Sequence, residues 1–224
     1  YIVDIGKYSF LPIDQIGYVG ILLTLFSVLC LINAINFIDG MDGLSISLII
    51  IILLNIYLNI QNEASVNEKK LIIILIILSI LFLFFNFFNL INFKIFLGDA
   101  GSTTFGFIIA FLLVYFTMPE KRYFDPVLCI WIVTLPMYDL LNVIIKRIFN
   151  KVKIYHPDRN HIHHILLKRG IKPNKILLIL IFLSFSFNII GHLIFFNFGN
   201  DYAIISFVLF FIIYEFTLRK LQKI

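Results

Sequence analysis

Seven segments of about 16 to 21 mostly apolar residues divide this sequence and constrain its fold more than any other feature. A helix needs about 20 such residues to cross a lipid bilayer. Lipid offers no hydrogen-bond partners, so a spanning segment must satisfy its backbone internally, as a helix does. We therefore predict an all-α, polytopic integral membrane protein with about seven transmembrane helices, at residues 16–36, 44–60, 71–91, 103–118, 127–145, 176–196 and 202–218.

The composition supports this class and excludes a soluble domain. Of the 224 residues, 61% are hydrophobic and 14% are charged, whereas a soluble domain carries roughly 25% charged residues. We expect one transmembrane domain over residues 1–224, and we predict a lipid bilayer as partner and no nucleic acid. Cys30 and Cys129 lie within apolar runs and are predicted to be buried hydrophobic residues.

The loops divide unequally between the two sides. If all seven segments cross, loops at about 37–43, 92–102 and 146–175 share a side with the C-terminal tail. That side carries 13 of the 18 Lys and Arg residues, and the other side carries 5. Because basic residues concentrate on cytoplasmic loops, we predict that these three loops are cytoplasmic.

The first polar motif closes the first predicted span. Asn33 and Asn36 share a helix face, and Asp39 and Asp42 repeat the spacing of three just beyond. Two neighbouring glycines open the backbone to a ligand. A capped helix end is the alternative for any single residue, but polar residues near membrane depth are costly. Four together favour a functional site.

The second motif, at residues 96–104, precedes the fourth predicted span. Gly98 frees the backbone, and Ser102 lies where a helix begins. The N–H groups of a helix N-terminus suit phosphate, and Asp99 can hold a divalent cation, since Mg²⁺ uses one or two carboxylates plus substrate oxygens. A plain N-cap explains the motif equally well when it is taken alone.

The third motif, at residues 156–164, contains four of the five histidines. Together with Arg159 it offers donors for pyrophosphate or sugar oxygens. A zinc site and a solvated loop are the alternatives. The predicted substrate-binding residues of this motif are Arg159, His161, His163 and His164.

Three isolated polar residues are weaker candidates. Asp139 lies in the fifth predicted span and either pairs with Lys146 or Arg147 or lines the site. His192 and Glu215 stand alone in apolar spans, and we expect them to be packing or interface residues.

The motifs NAINFIDGMDGLS, FLGDAGSTTFGF and PDRNHIHHILLKRG together resemble the polyprenyl-phosphate N-acetylhexosamine-1-phosphate transferases of the MraY and WecA type. Their order and intervening spans also match, so the resemblance covers essentially the whole chain. The His-Ile-His-His form is more similar to the WecA-like branch.

The resemblance implies an enzyme of the bacterial inner membrane. Its substrates would be a UDP-N-acetylhexosamine, with UDP-N-acetylglucosamine expected, and undecaprenyl phosphate, and its cofactor Mg²⁺ or Mn²⁺. The implied catalytic residues are Asp39, Asp42 and Asp99, and the implied metal ligands are Asp99 and Asn36. The predicted substrate-binding residues outside the histidine motif are Asn33, Asn36, Gly98 and Ser102.

One feature of that family is missing from the sequence. The family carries an Asp-Asp pair on an earlier cytoplasmic loop, whereas Asp4 and Asp14 are isolated and fall on the opposite predicted side. We therefore expect an incomplete chain that lacks several N-terminal spans and is inactive alone. A membrane transporter and a non-catalytic lipid-binding partner are the alternative functions, and a homodimer is left open.

Overall fold

Apolar helices make up most of the fold. The computed structural model describes residues 1–10, 16–88, 95–151 and 160–223. Each predicted apolar segment lies mainly in a helix, so the all-α polytopic class is confirmed. The helices within these ranges are α1 (Val19–Ile38), α2 (Leu44–Ile60), α3 (Val66–Phe88), α4 (Gly98–Thr117), α5 (Pro126–Ile132), α6 (Thr134–Phe149), α7 (Ile162–Lys168), α8 (Pro173–Phe198) and α9 (Asn200–Lys223).

The helices differ in their capacity to span a membrane. Five of those in the described ranges are long and apolar enough to cross, namely α1, α3, α4, α8 and α9, and α5 with α6 would make a sixth if they form one broken span. Helix α2 is apolar but has 17 residues, which is at the lower limit for crossing. The protein is therefore multi-pass, and the count of seven stays a prediction.

The fifth predicted span is bent sharply. Helices α5 and α6 meet at 77°, with the break at Val133, whose backbone dihedrals are φ −106° and ψ 18°. Pro136 has no N–H to bond the carbonyl of Ile132, and a proline ring clashes with the carbonyl four residues earlier. The predicted span at 127–145 thus consists of two helices instead of one.

Helix ends collect at two poles of the bundle. At the first, which we call the motif end, Gly43 N–H donates to Asn86 Oδ1 over 2.7 Å, and the Arg169 guanidinium donates to the carbonyl of Leu221. At the opposite end, Lys121 pairs with Glu68 at 2.7 Å. The loops that carry the three sequence motifs thus lie at one end wherever they are described.

Helices α1 and α4 form the most extensive helix pair of the described fold. They approach closely at Gly106, where an added Cβ would lie 2.7 Å from the Cα of Ile32. Small residues allow such backbone contacts between membrane helices. This pair brings the end of α1 against the beginning of α4.

Candidate functional site

The first two motifs meet where α1 ends and α4 begins. Asn36 Nδ2 donates to Asp99 Oδ1 over 3.2 Å and to Ser102 Oγ over 2.9 Å. The Ser102 hydroxyl in turn donates to the carbonyl of Gly98 over 2.9 Å. Because the Ser102 hydroxyl gives its proton to that carbonyl, Ser102 Oγ must accept the hydrogen bond from Asn36. The Asn36 amide group is therefore oriented with its nitrogen toward α4. Residues 63 and 66 positions apart are therefore joined at one point.

Asp39 adds a second carboxylate beside Asp99. It follows the last residue of α1 and is partly buried. Burial, followed by the negative charge of Asp99, raises the pKa of Asp39 to about 6, and the charge of Asp42 adds to the increase. The backbone N–H of Gly98 partly opposes this rise. The site thus concentrates negative charge in a place where water screens it incompletely.

The other predicted residues of the first two motifs are more peripheral. Asn33 is exposed, and its amide donates to the carbonyl of Leu29 in its own helix over 2.7 Å. Gly98 is exposed and has φ +62°, a conformation that favours glycine. Asp42 is exposed near Asp39. Asn33 therefore does not join the Asn36–Asp99 contact, although it lies on the same helix.

The histidine motif packs against the turn after α1. An added Cβ on Gly40 would lie 2.2 Å from Nε2 of His163, so the imidazole occupies the space beside that glycine. The ring centroids of His161 and Phe37 are 5.4 Å apart, and those of His163 and His164 are 4.2 Å apart. The third motif thus joins the first, while Arg159 lies outside the described residues.

His163 is fully buried, and its two ring nitrogens have no hydrogen-bond partner among the described residues. Its exposed fraction is 0%. Burial, with the charge of His164, lowers the pKa of His163 to about 4. The imidazole is therefore neutral at physiological pH.

Asp139 has a different partner from the two considered for it. Its Oδ2 lies 2.7 Å from Nδ1 of His161, and its Oδ1 accepts from the backbone N–H of Ile162 over 2.8 Å. The bend between α5 and α6 lets α6 carry this carboxylate inward to α7. The alternative pairing with Lys146 or Arg147 is thus replaced by a contact to the histidine motif.

The residues at the α1–α4 junction fit a divalent cation. Asn36 donates through Nδ2, so its Oδ1 remains as a second kind of oxygen ligand at the junction, in addition to the Asp99 carboxylate. The described residues contain no cluster of three His, Cys, Asp or Glu side chains that could hold a metal. One carboxylate with an amide oxygen is a ligand set that suits a hard divalent cation, which completes its shell with water and substrate oxygens.

An apolar cavity lies between the helices that form the junction. Its volume is about 430 Å³, and it extends between α1, α4 and the α5–α6 pair, with Leu31, Ala110 and Val133 among its lining residues. Cys30 and Cys129 also line it and are free thiols. Neither forms a disulfide, and both are only partly buried, so the prediction that they are buried residues is wrong.

The opposite end contains a carboxylate that the sequence analysis did not single out. Glu68 accepts from Tyr115, Lys121 and Tyr123 over 2.7 to 3.0 Å, and from Ser65 at the start of α3. Ser65 and Glu68 have the spacing of a capping box, which signals a helix start. That signal explains why α3 begins at Val66, five residues before the predicted span.

The sequence is similar to those of known proteins of one family. Residues 3–117 match the family described as glycosyl transferase family 4. The undecaprenyl-phosphate alpha-N-acetylglucosaminyl 1-phosphate transferase of Pasteurella multocida (strain Pm70) is 29% identical over 136 residues, and that of Haemophilus influenzae is 30% identical over 134. Each alignment covers 59% of this chain and 38% of the relative.

The match with a third relative has the same extent. The protein of the same name from Escherichia coli (strain K12) is 28% identical over 135 residues, which is 59% of this chain and 37% of the relative. The chain thus aligns with less than half the length of the curated relatives. Since the family match covers about half of this chain and includes both carboxylate motifs, the chain belongs to glycosyl transferase family 4.

Proposed function

We propose that this chain is part of an enzyme that transfers N-acetylglucosamine-1-phosphate from UDP-N-acetylglucosamine to undecaprenyl phosphate. One observation carries the proposal: the Asn36–Asp99 contact joins the first two motifs, and His163 packs on the turn between Asp39 and Asp42. A phosphorylated nucleotide substrate needs such a combination of cation ligands and hydrogen-bond donors. The names of the similar proteins supply the identity of the sugar and the lipid.

The reaction exchanges one phosphoanhydride bond for another. An oxygen of the lipid phosphate forms a bond to the phosphorus that bears the sugar. The bond from that phosphorus to the oxygen of the UMP phosphate breaks, and UMP leaves with the electron pair. Such transfers depend mainly on positioning and on neutralising charge. The lipid-linked product would begin synthesis of a cell-envelope glycan.

The residues at the motif end have different roles in this transfer. Mg²⁺ or Mn²⁺, held by Asp99 and Asn36, would neutralise charge on the diphosphate as a Lewis acid. Asp39 and Asp42 shape the nucleotide and metal site. Contacts to the sugar diphosphate come from the start of α4, at Gly98 and Ser102, and from the histidine motif, namely Arg159, His161, His163 and His164.

The lipid substrate suits the remaining geometry. Undecaprenyl phosphate has a long apolar chain and a charged headgroup, so its phosphate must lie at the membrane surface. The motif end provides the polar surface, and the cavity between α1, α4 and α5 offers apolar space for part of the chain. We infer that the motif end faces the bacterial cytoplasm, where nucleotide sugars are found.

Release of UMP tests the activity directly. The complete protein should release UMP only when UDP-N-acetylglucosamine, undecaprenyl phosphate and Mg²⁺ are all present, and Asp99→Asn should reduce the rate at least 100-fold. Asp201→Asn is a matched control, because Asp201 lies in the first turn of α9 as Asp99 lies in that of α4. No UMP release by the wild-type protein would favour a transporter or a lipid-binding partner.

Cysteine labelling tests the orientation. Lys168 at the motif end and Glu63 at the opposite end are both exposed. In intact cells a membrane-impermeant maleimide should label Glu63→Cys, and it should label Lys168→Cys only after permeabilisation. The reverse pattern would place the motif end outside the cytoplasm and contradict the proposed site of action.

A further inference from the structure

Asp139 stands out among the buried charged residues because both of its oxygens are engaged by one short segment. Its carboxylate, 2% exposed, faces His161, whose side chain is 6% exposed. Oδ2 lies 2.7 Å from His161 Nδ1, and Oδ1 lies 2.8 Å from the N–H of Ile162, the first residue of α7. A buried carboxylate without such partners would be strongly destabilising.

The two contacts determine which imidazole nitrogen carries a proton. The Ile162 backbone N–H can only donate, so it occupies Oδ1. The carboxylate is an acceptor, so Oδ2 requires a proton on Nδ1 of His161. The Nε2 nitrogen is then left for another partner. A carboxylate commonly fixes a functional histidine in this way, as in metal sites and in catalytic triads.

The segment that Asp139 holds is the one that reaches the proposed active site. His161 lies against Phe37 near the end of α1. Two residues later, His163 fills the space beside Gly40, between Asp39 and Asp42. A change in the start of α7 would therefore move the histidine motif relative to the carboxylates.

We infer that Asp139 is a positioning residue of the proposed transferase, which sets the tautomer of His161 and the placement of α7 against the turn at Gly40. This inference rests on the proposed function for its kinetic consequence, but its structural part can be measured without activity. The competing interpretation is that Asp139 only stabilises the start of α7. The two interpretations differ in what an isosteric amide should do.

Asp139→Asn separates the two interpretations. The Ile162 N–H still requires an oxygen, so the asparagine must turn its NH₂ group toward His161. Nδ1 then becomes an acceptor, and the proton moves to Nε2. The helix start is preserved, whereas the tautomer of His161 is reversed. A purely structural residue would tolerate this change.

Nitrogen NMR of ¹⁵N-histidine-labelled protein reads the tautomer. The chain has five histidines, and His161→Gln identifies the signal of His161. We expect the proton on Nδ1 in the wild-type protein and on Nε2 in Asp139→Asn. Asp125→Asn is the control, since Asp125 is another ion-paired carboxylate but lies at the opposite end, just before α5 and 3.1 Å from Arg122. It should leave the signal unchanged.

Kinetics of the complete protein provide the second measurement. Asp139→Asn should lower kcat for UMP release about 10- to 100-fold, as expected for a residue that orients a functional histidine, with little change in KM or Tm. Adding Asp139→Asn to His161→Gln should cause no further loss, because both changes disable the same unit. A wild-type kcat in Asp139→Asn, an unchanged tautomer, or losses that multiply in the double variant would overturn the inference.

The two failures can be told apart. If the wild-type protein releases no UMP, the proposed function fails, while the tautomer measurement still decides whether Asp139 sets His161. If UMP is released and the tautomer does not respond to Asp139→Asn, the function stands and the positioning role is refuted.

Discussion

Gly106→Ala should separate α1 from α4 and thereby disturb the proposed site one helical turn away. An added Cβ would lie 2.7 Å from Ile32 Cα and 3.3 Å from the carbonyl oxygen of Leu31. Ordinary contact begins at 3.4 Å, so the helices must move apart by about 0.7 Å. Both obstructing atoms belong to the backbone and cannot rotate away.

The displacement acts directly on the Asn36–Ser102 contact. Ile32 precedes Asn36 by four residues, and Ser102 precedes Gly106 by four, so the hydrogen bond lies one turn closer to the motif end. A separation of about 0.7 Å would lengthen its 2.9 Å distance beyond the 3.5 Å limit of a hydrogen bond. Overpacking typically costs about 1–3 kcal/mol, and a lost hydrogen bond adds about 1 kcal/mol. Alanine's helix propensity returns up to about 1 kcal/mol.

Thermal unfolding in detergent and UMP release measure the two consequences. A net destabilisation of about 1–3 kcal/mol should lower Tm by roughly 2–12 °C for a protein of this size, and UMP release by the complete protein should fall at least tenfold. Gly101→Ala is the matched control for stability, because the obstructing atoms there belong to the Leu97 side chain, which can rotate. If Gly106→Ala unfolds like the wild type and keeps its activity, α1 and α4 are not in contact as described.

Three further predictions concern charged groups. Burial lowers the pKa of His163 to about 4. The free energy of unfolding should therefore fall by at most about 3 kcal/mol as the pH drops from about 6.5, the ordinary histidine pKa, to 4. Thermal unfolding at pH 7 and 4.5 measures this fall, and His163→Gln should reduce the pH dependence of Tm. The pKa of Asp39 is raised to about 6, so its ionisation increasingly opposes folding between about pH 4 and pH 6. Asp39→Asn should therefore stabilise the metal-free protein at pH 7 by about 1 kcal/mol, after allowance for solvent screening, and should abolish UMP release. A lower Tm in Asp39→Asn would contradict the repulsion from Asp99. Glu68 joins α3 to Tyr115, Lys121 and Tyr123 at the opposite end. Glu68→Gln should therefore lower Tm by about 2–4 °C and leave kcat unchanged. A reduced kcat would show that this end participates in the reaction.

The sequence predicts the helices well because span length follows from bilayer thickness alone. It does not predict the bend between α5 and α6 quantitatively. Pro136 indicates a break, but the 77° angle depends on what each helix contacts after the break. Trp131 donates to the carbonyl of Ala203 over 3.1 Å, and Tyr138 donates to that of Phe207 over 2.5 Å. Both carbonyls belong to α9, which is more than 60 residues away in sequence.

The sequence nominates residues for the proposed site, but it does not predict which of them are in contact. Loop alternation predicts that the three motifs share one end of the bundle, and the Asn36–Asp99 and Gly40–His163 contacts agree with it. The partner of Asp139 could not be predicted, because the bend of α6 and the start of α7 jointly bring it to His161. Local spacing favoured Lys146 and Arg147, which lie on the same helix as Asp139.

The carboxylates at the two ends of the bundle differ in a way that assigns them different tasks. At the opposite end, Glu68 is paired with Lys121, and Asp4 lies 2.6 Å from Arg122, so those charges are compensated and hold helices together. At the motif end, Asp39 and Asp99 lie near enough for one charge to raise the pKa of the other carboxyl. That arrangement opposes folding unless a cation neutralises it, so stability alone does not account for it. A bound divalent cation would turn the same repulsion into affinity, and Mg²⁺ should therefore raise the Tm of the wild-type protein more than that of Asp99→Asn.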